Sequence, residues 1–131
     1  MRRLLIAMAV LSLSGCAHFM MNPPPVLVVF FPDHQVTLTG DGKKIVDDAA
    51  SAAKVSGAQF VELTGPSTKI APGYDPSLAE PRIAVVEAEL VAEGVSKERV
   101  VRASETTDGI NMKSDPTGAQ RVEIRLVDRK P

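Results

Sequence analysis

Between residues 26 and 127 the spacing of the apolar residues changes several times, and this limits the folds that the chain can adopt. Residues 26–31 (VLVVFF) form a continuous apolar run, which is typical of a strand buried on both faces. From Thr39, apolar residues recur at helical spacing as far as Gly57, where a helix would end. Residues 60–64 and 100–103 predict short strands. Residues 121–127 alternate cleanly and predict a strand with one face in water.

A second helix has two possible starts. Ser77 and Glu80 form a capping box, which predicts a helix that begins at Leu78. The pair Asp75-Pro76 offers an earlier start, with a capping carboxylate and a proline in the first turn. We favour Leu78, because with the earlier start Pro81 would lie deeper in the helix and cost a hydrogen bond.

The order of these elements is βαβαββ, which predicts an α+β fold. We expect a two-layer sandwich in which both helices cover one face of a mixed sheet. The chain of 131 residues suffices for one domain. Its 15 basic and 16 acidic side chains and 4% aromatic content argue against a nucleic-acid partner. A single cysteine excludes a disulfide framework or a multi-cysteine metal site, and we expect no cofactor.

The N-terminus has the organisation of a bacterial export signal. Arg2 and Arg3 precede a short apolar run at residues 4–11, and the segment ends in Leu-Ser-Gly-Cys at residues 13–16. This ending resembles the lipobox of bacterial lipoproteins, which predicts a signal peptide over residues 1–15 and a lipid on Cys16. An ordinary secretory signal with an incidental cysteine is the alternative.

Residues 16–25 are predicted to tether the folded part to the membrane. The segment contains Pro23-Pro24-Pro25, which favours an extended, stiff chain. The nine residues after the cysteine, 17–25, reach at most about 30 Å. Ala17, in place of the aspartate of the lipoprotein sorting rule, predicts transport to the outer membrane. We therefore expect residues 26–131 to form a periplasmic domain close to that membrane.

Three stretches together resemble the OmpA-like C-terminal domain, the family that includes peptidoglycan-associated lipoproteins. They are FFPDHQVTLTGDGKKIVDDAA from residue 30, YDPSLAEPRIAVVEAELVAEGVSKERV from residue 74, and GAQRVEIRL from residue 118. The last is similar to the family's Asn-Arg-Arg-Val-Glu-Ile strand, with Gln120 in place of the first arginine. The resemblance implies the fold predicted above and peptidoglycan as a ligand.

In this family an aspartate and an arginine hold the ammonium and the carboxylate of diaminopimelate in the wall stem peptide. The resemblance places Arg82 at the arginine position and Ser67 at the aspartate position. A serine cannot balance an ammonium ion, so we expect weakened or altered binding, with Asp75 as a possible replacement charge. Tyr74 and Leu78 complete the candidate ligand-binding set.

Other roles stay open for the same residues. Arg82 could be a solvated helix residue or pair with Glu80 or Asp75. Tyr74 could pack the loop against the helix rather than contact ligand. The domain could also have lost wall binding and serve as an interaction subunit with envelope proteins as partners. An enzyme has little support, because the sequence shows no nucleophile–base pair or metal-ligand set.

Overall fold

The structure is a computed structural model that describes residues 26–68, 71–103 and 116–128. Its elements are β1 (Val26–Phe30), α1 (Gly40–Val55), β2 (Phe60–Thr64), α2 (Ala79–Ala92), β3 (Val100–Arg102), a four-residue α3 (Pro116–Ala119) and β4 (Arg121–Val127). The predicted order βαβαββ is confirmed, and α3 adds one helical turn before the last strand. The predicted signal peptide, Cys16 and the tether lie outside the described residues.

The strands form one mixed sheet in the order β1-β4-β2-β3. β4 runs antiparallel to both neighbours, with Val28 opposite Glu123 on one side and Leu63 opposite Ile124 on the other. β2 and β3 are parallel and are joined through α2. The last strand in sequence therefore lies inside the sheet, and the first strand lies at its edge.

Both helices pack on the same face of this sheet, as predicted for a two-layer α+β sandwich. α1 contacts β1 and α2, and α2 contacts β2 and β4. Between the two layers lies one core of aliphatic side chains, which includes Val29, Val46, Ala49, Ala53, Val61, Leu63, Ile83, Val86, Leu90, Val122 and Ile124. Within the described ranges no helix is long and apolar enough to cross a membrane.

Two burial predictions were wrong, and both concern the face of the sheet opposite the helices. β1 is an edge strand in which Val26 and Phe30 remain 40% and 43% exposed, although its sequence is apolar throughout. On β4, Arg121 and Glu123 occupy the face predicted to be wet, and both are buried. A run of apolar residues does not show whether its strand lies at the centre or at the edge of a sheet. An alternation of apolar and charged residues does not show whether the charged side chains pair with one another inside the protein.

The start of α2 also differs from the prediction. Residues 76–78 form a 3-10 turn, and the Oδ1 atom of Asp75 accepts a hydrogen bond from the backbone N–H of Ser77. α2 then begins at Ala79, and no side chain caps it at Leu78. The favoured Ser77 cap was wrong. Pro81 is accommodated because it lies in the first turn of α2, where the backbone N–H groups lack partners in the helix.

Candidate functional site

Three segments meet at one end of the sheet and surround the predicted ligand residues. They are the loop between β1 and α1, the loop between β2 and α2, and the turn that leads into β4. Hydrogen bonds from α2 connect the first and third segments through a single side chain, that of Arg82. This convergence makes Arg82 the centre of the candidate site.

The Arg82 guanidinium is fully buried and bound to neutral oxygen atoms. Nε donates to the carbonyl oxygen of Gln35 at 2.8 Å, and Nη2 donates to that of Pro32 at 3.2 Å. Nη1 donates to Oε1 of Gln120 at 2.5 Å. The guanidinium carbon also lies 5.1 Å from the centre of the Phe31 ring, within the range of a cation–π contact. The predicted alternatives of a solvated arginine or a pair with Glu80 or Asp75 were therefore wrong.

The environment of Arg82 leaves its charge largely uncompensated. Among the described residues, no carboxylate lies within 4.0 Å of the guanidinium. Burial lowers the pKa of Arg82, while the Tyr74 hydroxyl and the carboxylates of Asp33 and Asp75 act in the opposite direction. Burying an ion costs several kcal/mol, and hydrogen bonds to a charged group return about 1.5–3 kcal/mol each. The carbonyl and amide oxygens therefore hold the guanidinium in place, and its positive potential persists around it.

Asp75 and Ser67 lie on the surface of the loop that leads to α2. Asp75 is exposed, and its Oδ1 atom accepts hydrogen bonds from the N–H of Ser77 at 3.0 Å and from its hydroxyl at 2.7 Å. The hydroxyl of Ser77 is the main cause of a lowered pKa of Asp75, and the charges of His34 and Arg82 lower it further. Ser67 is exposed as well. A negative charge thus lies near Arg82, beyond salt-bridge distance.

Tyr74 fixes the shape of this loop from within. Its ring is buried against Ala71 and Ala119, and its hydroxyl donates a hydrogen bond to the carbonyl oxygen of Pro66. The ring therefore packs the loop against the α3 turn. Leu78 is half-buried beside the start of α2.

A buried ion-pair ladder on β4, which was not predicted from the sequence, supports the site. Glu123 accepts hydrogen bonds from Nε of Arg121 at 3.0 Å and from Nη2 of Arg125 at 3.1 Å. Arg121 also donates to the carbonyl oxygen of Gly118 at 2.9 Å, which holds the turn that carries Gln120. The Arg-x-Glu-x-Arg spacing was the available signal, because alternate residues of a strand share one face.

The described residues contain no group of three or more His, Cys, Asp or Glu side chains arranged to hold a metal ion. The chemistry visible at the site is that of a buried cation near an exposed carboxylate.

The comparisons with known proteins agree on the fold. The chain is similar to the OmpA-like domain of FopA1 from Francisella tularensis, with 27% identity, a TM-score of 0.59, and coverage of 76% of this chain and 69% of that chain. The peptidoglycan-associated lipoprotein from Burkholderia pseudomallei gives 17% identity, a TM-score of 0.53, and coverage of 76% and 87%. The periplasmic domain of Helicobacter pylori MotB gives 15% identity, a TM-score of 0.56, and coverage of 83% and 80%. No protein-family model and no curated protein matches the chain.

The described part of this chain has the fold of an OmpA-like domain and diverges from it in sequence. The divergence has a structural consequence at Gln120. Where the family pattern has an arginine, which only donates hydrogen bonds, this OmpA-like domain has an amide oxygen that accepts one from Arg82. The substitution at residue 120 therefore supplies an internal partner for the guanidinium.

Proposed function

We propose that the protein is a lipid-anchored outer-membrane lipoprotein whose OmpA-like domain contacts peptidoglycan weakly or with altered ligand choice. The lipid is on Cys16, residues 1–15 are removed, and the domain faces the periplasm. The similarity to a peptidoglycan-associated lipoprotein and to the periplasmic domain of MotB supports an envelope role. No catalytic step belongs to this proposal.

The observation that carries the proposal is the uncompensated charge of Arg82 at the position of the family's ligand arginine. Because its hydrogen-bond partners are neutral oxygen atoms, the guanidinium attracts anionic groups towards the end of the sheet. A stem-peptide carboxylate is such a group. In this proposal Asp75 attracts the ammonium group of the same ligand, Ser67 adds one hydrogen bond, and Tyr74 and Leu78 shape the contact surface.

The same geometry explains why binding should be weak. Arg82 is fully buried and three of its five N–H donors already have partners, so a carboxylate can contact the guanidinium only if the surrounding loops move. Ser67 is exposed, and an exposed ion pair contributes only about 0.2–1 kcal/mol. With serine at residue 67, we therefore expect affinity lower by less than about one decade than with an aspartate there.

A second function is favoured by the hydrogen bonds that already engage the Arg82 guanidinium. If Arg82 only holds the loops together, the domain serves as an interaction subunit for other envelope proteins and does not bind the wall. Both functions predict the same anchor, and they differ only in whether peptidoglycan is bound.

Co-sedimentation of the full chain, purified in detergent, with diaminopimelate-type peptidoglycan distinguishes the two. Ser67→Asp should increase the bound fraction, whereas Ser67→Asn, which has the same shape without the charge, should not. Asp75→Asn should reduce it. If neither the wild type nor Ser67→Asp sediments with peptidoglycan, wall binding is wrong and the interaction subunit is supported. Arg82 is unsuitable for this assay, because we expect its replacement to destabilise the fold.

The anchor has a separate test. Mass spectrometry of the N-terminal peptide from the membrane fraction should show Cys16 as the first residue, with a diacylglycerol on its sulfur. An unmodified Cys16 within an uncleaved or differently cleaved chain would contradict the anchor without affecting wall binding.

A further inference from the structure

β1 presents a free backbone edge within the part of the chain that the structure describes. It pairs with β4 on one side and lies at the end of the strand order. The N–H of Phe31 donates to the carbonyl oxygen of Gln120 at 2.8 Å, towards β4. Because backbone groups of a strand alternate in direction, those of Val26, Val28 and Phe30 point away from β4. These groups are available to another strand.

Among the residues that the structure describes, nothing protects this edge from pairing with another protein. Natural edge strands carry lysine, proline, a bulge or a covering element. The sequence of β1 is VLVVF, without a charged residue or a proline, and its register with β4 is continuous over all five residues. Val26 and Phe30 are among the few large apolar side chains that the described part leaves exposed.

We propose that β1 pairs with β1 of a second copy of this chain, antiparallel about a two-fold axis at Val28. In this register the outward N–H and C=O groups of Val28 exchange hydrogen bonds with Val28 of the second copy. Val26 is then opposite Phe30 of the second copy, and Phe30 is opposite Val26. All outward backbone groups of the strand obtain partners, and the exposed apolar side chains cover one another. Only this two-fold register pairs the strand with itself over its whole length.

Charge and chain direction both favour a second copy as the occupant. β1 carries no charge, so two copies meet without the repulsion of like charges across the strands. The antiparallel direction would lead residues 23–25 of the second copy past Phe31 and Pro32. There the domain has an open groove of about 320 Å³, lined by Phe30, Phe31, Pro32, Thr39, Asp41 and Ile45. Aromatic-lined grooves bind extended proline-rich segments, and residues 23–25 are all proline.

The apolar groove enlarges a contact that would otherwise be small. Stable interfaces bury about 1,200–2,000 Å² in total, and a single pair of short strands provides only part of this area. Insertion of the two proline segments into the two grooves supplies a second contact region on each copy. Because a two-fold interface is isologous, one segment and one groove per copy suffice.

Cysteine cross-linking of the full chain tests the register. In the proposed dimer, residue 28 meets residue 28 at about 5.5 Å between Cα atoms, which a disulfide can bridge. The two copies of residue 26 are separated by about 14 Å along the strands and cannot be bridged. Val28→Cys should therefore give a reducible dimer on oxidation in detergent, and Val26→Cys should not. Val55→Cys, at an 85% exposed position, measures random collision.

Each outcome decides between pairing and chance contact. A dimer with Val28→Cys at least several-fold above the Val55→Cys level supports the proposal, as does cross-linking in a mixture of Val26→Cys and Phe30→Cys chains. Equal cross-linking at residues 26, 28 and 55 contradicts it, and so does the absence of dimer at residue 28.

Sedimentation velocity provides a measurement without cysteine. Val28→Lys places two ammonium groups together at the axis, so it should weaken dimerisation of the full chain at least tenfold. At concentrations where the wild type is monomeric, its thermal unfolding should stay close to that of the wild type, because residue 28 is half-buried and lies outside the core formed with the helices. Weak complexes have dissociation constants in the micromolar range. A wild type that stays monomeric at all concentrations up to about 100 μM would therefore overturn the proposal.

Discussion

Replacement of Arg82 by alanine should destabilise the domain strongly, whatever the protein binds. The side chain is fully buried, and its guanidinium connects α2 to the carbonyl oxygens of Pro32 and Gln35 and to the side chain of Gln120. Arg82→Ala removes these contacts together with the contact on the Phe31 ring. It also leaves a cavity and several oxygen atoms without their donor.

The expected loss follows from these contacts. Hydrogen bonds to a charged group contribute about 1.5–3 kcal/mol each, and their effects in one network do not add fully. Removal of the arginine also relieves the desolvation cost of its buried charge, and this offsets part of the loss. We therefore expect the free energy of unfolding to fall by about 3–5 kcal/mol, as when one member of a buried polar network is lost. Domains of this kind are stable by about 5–15 kcal/mol, so the variant retains little margin.

Urea unfolding followed by far-ultraviolet circular dichroism measures this difference. With a slope of about 1–3 kcal/mol per molar urea, the midpoint should fall by about 1–5 M. Arg102→Ala is the matched control, since Arg102 is 43% exposed and pairs with Glu80 and Glu87 at the surface. We expect a loss of about 0–1 kcal/mol there. If the two variants lose equal stability, Arg82 does not hold the loops together and its proposed structural role is wrong.

Three further predictions concern single side chains. Tyr74→Phe keeps the ring packing but removes the hydroxyl bonded to Pro66, and should cost about 1 kcal/mol in urea unfolding, with no loss if that bond is unimportant. Arg99→Ala removes donors to three carbonyl oxygens at and after the end of α1 and should cost about 1–3 kcal/mol, whereas a surface-like loss near zero would contradict this capping role. Asp75→Asn tests the effect of the lowered pKa of Asp75. The ionised carboxylate of Asp75 stabilises the fold at pH values above its ordinary pKa, and this contribution is lost as pH falls through the lowered pKa. The stability difference between wild type and Asp75→Asn should therefore be present at neutral pH and disappear in acid, and a difference independent of pH would refute it.

The spacing of apolar residues along the sequence was sufficient to predict the strands and helices of the fold. The strands at residues 26, 60, 100 and 121 and both long helices lie where the sequence placed them, because burial of one face requires a fixed spacing of apolar residues. The start of α2 was misjudged by local capping rules. Asp75 and Ser77 are both good caps, and only the path of the preceding loop selects Asp75.

The candidate site was less predictable. The family resemblance pointed to Arg82, Tyr74 and Asp75, and the structure places Tyr74 and Asp75 in the loop before α2 and Arg82 in the first turn of that helix. The partners of Arg82 come from residues far away in sequence, Pro32, Gln35 and Gln120. Sequence spacing carries no information about such contacts, so the burial of the guanidinium could not be foreseen.

The amino-acid sequence alone determined the order of strands and helices, since local spacing and the requirement to bury apolar surface act over short stretches of chain. Which strand lies at the edge and which charges lie inside were decided only by the tertiary structure. β4 inserts between β1 and β2, and this insertion exposes one side of an apolar strand and encloses the Arg121–Glu123 pair. The reason is physical: the environment of a side chain depends on which distant segments pack against it, and those segments are set by the whole sheet.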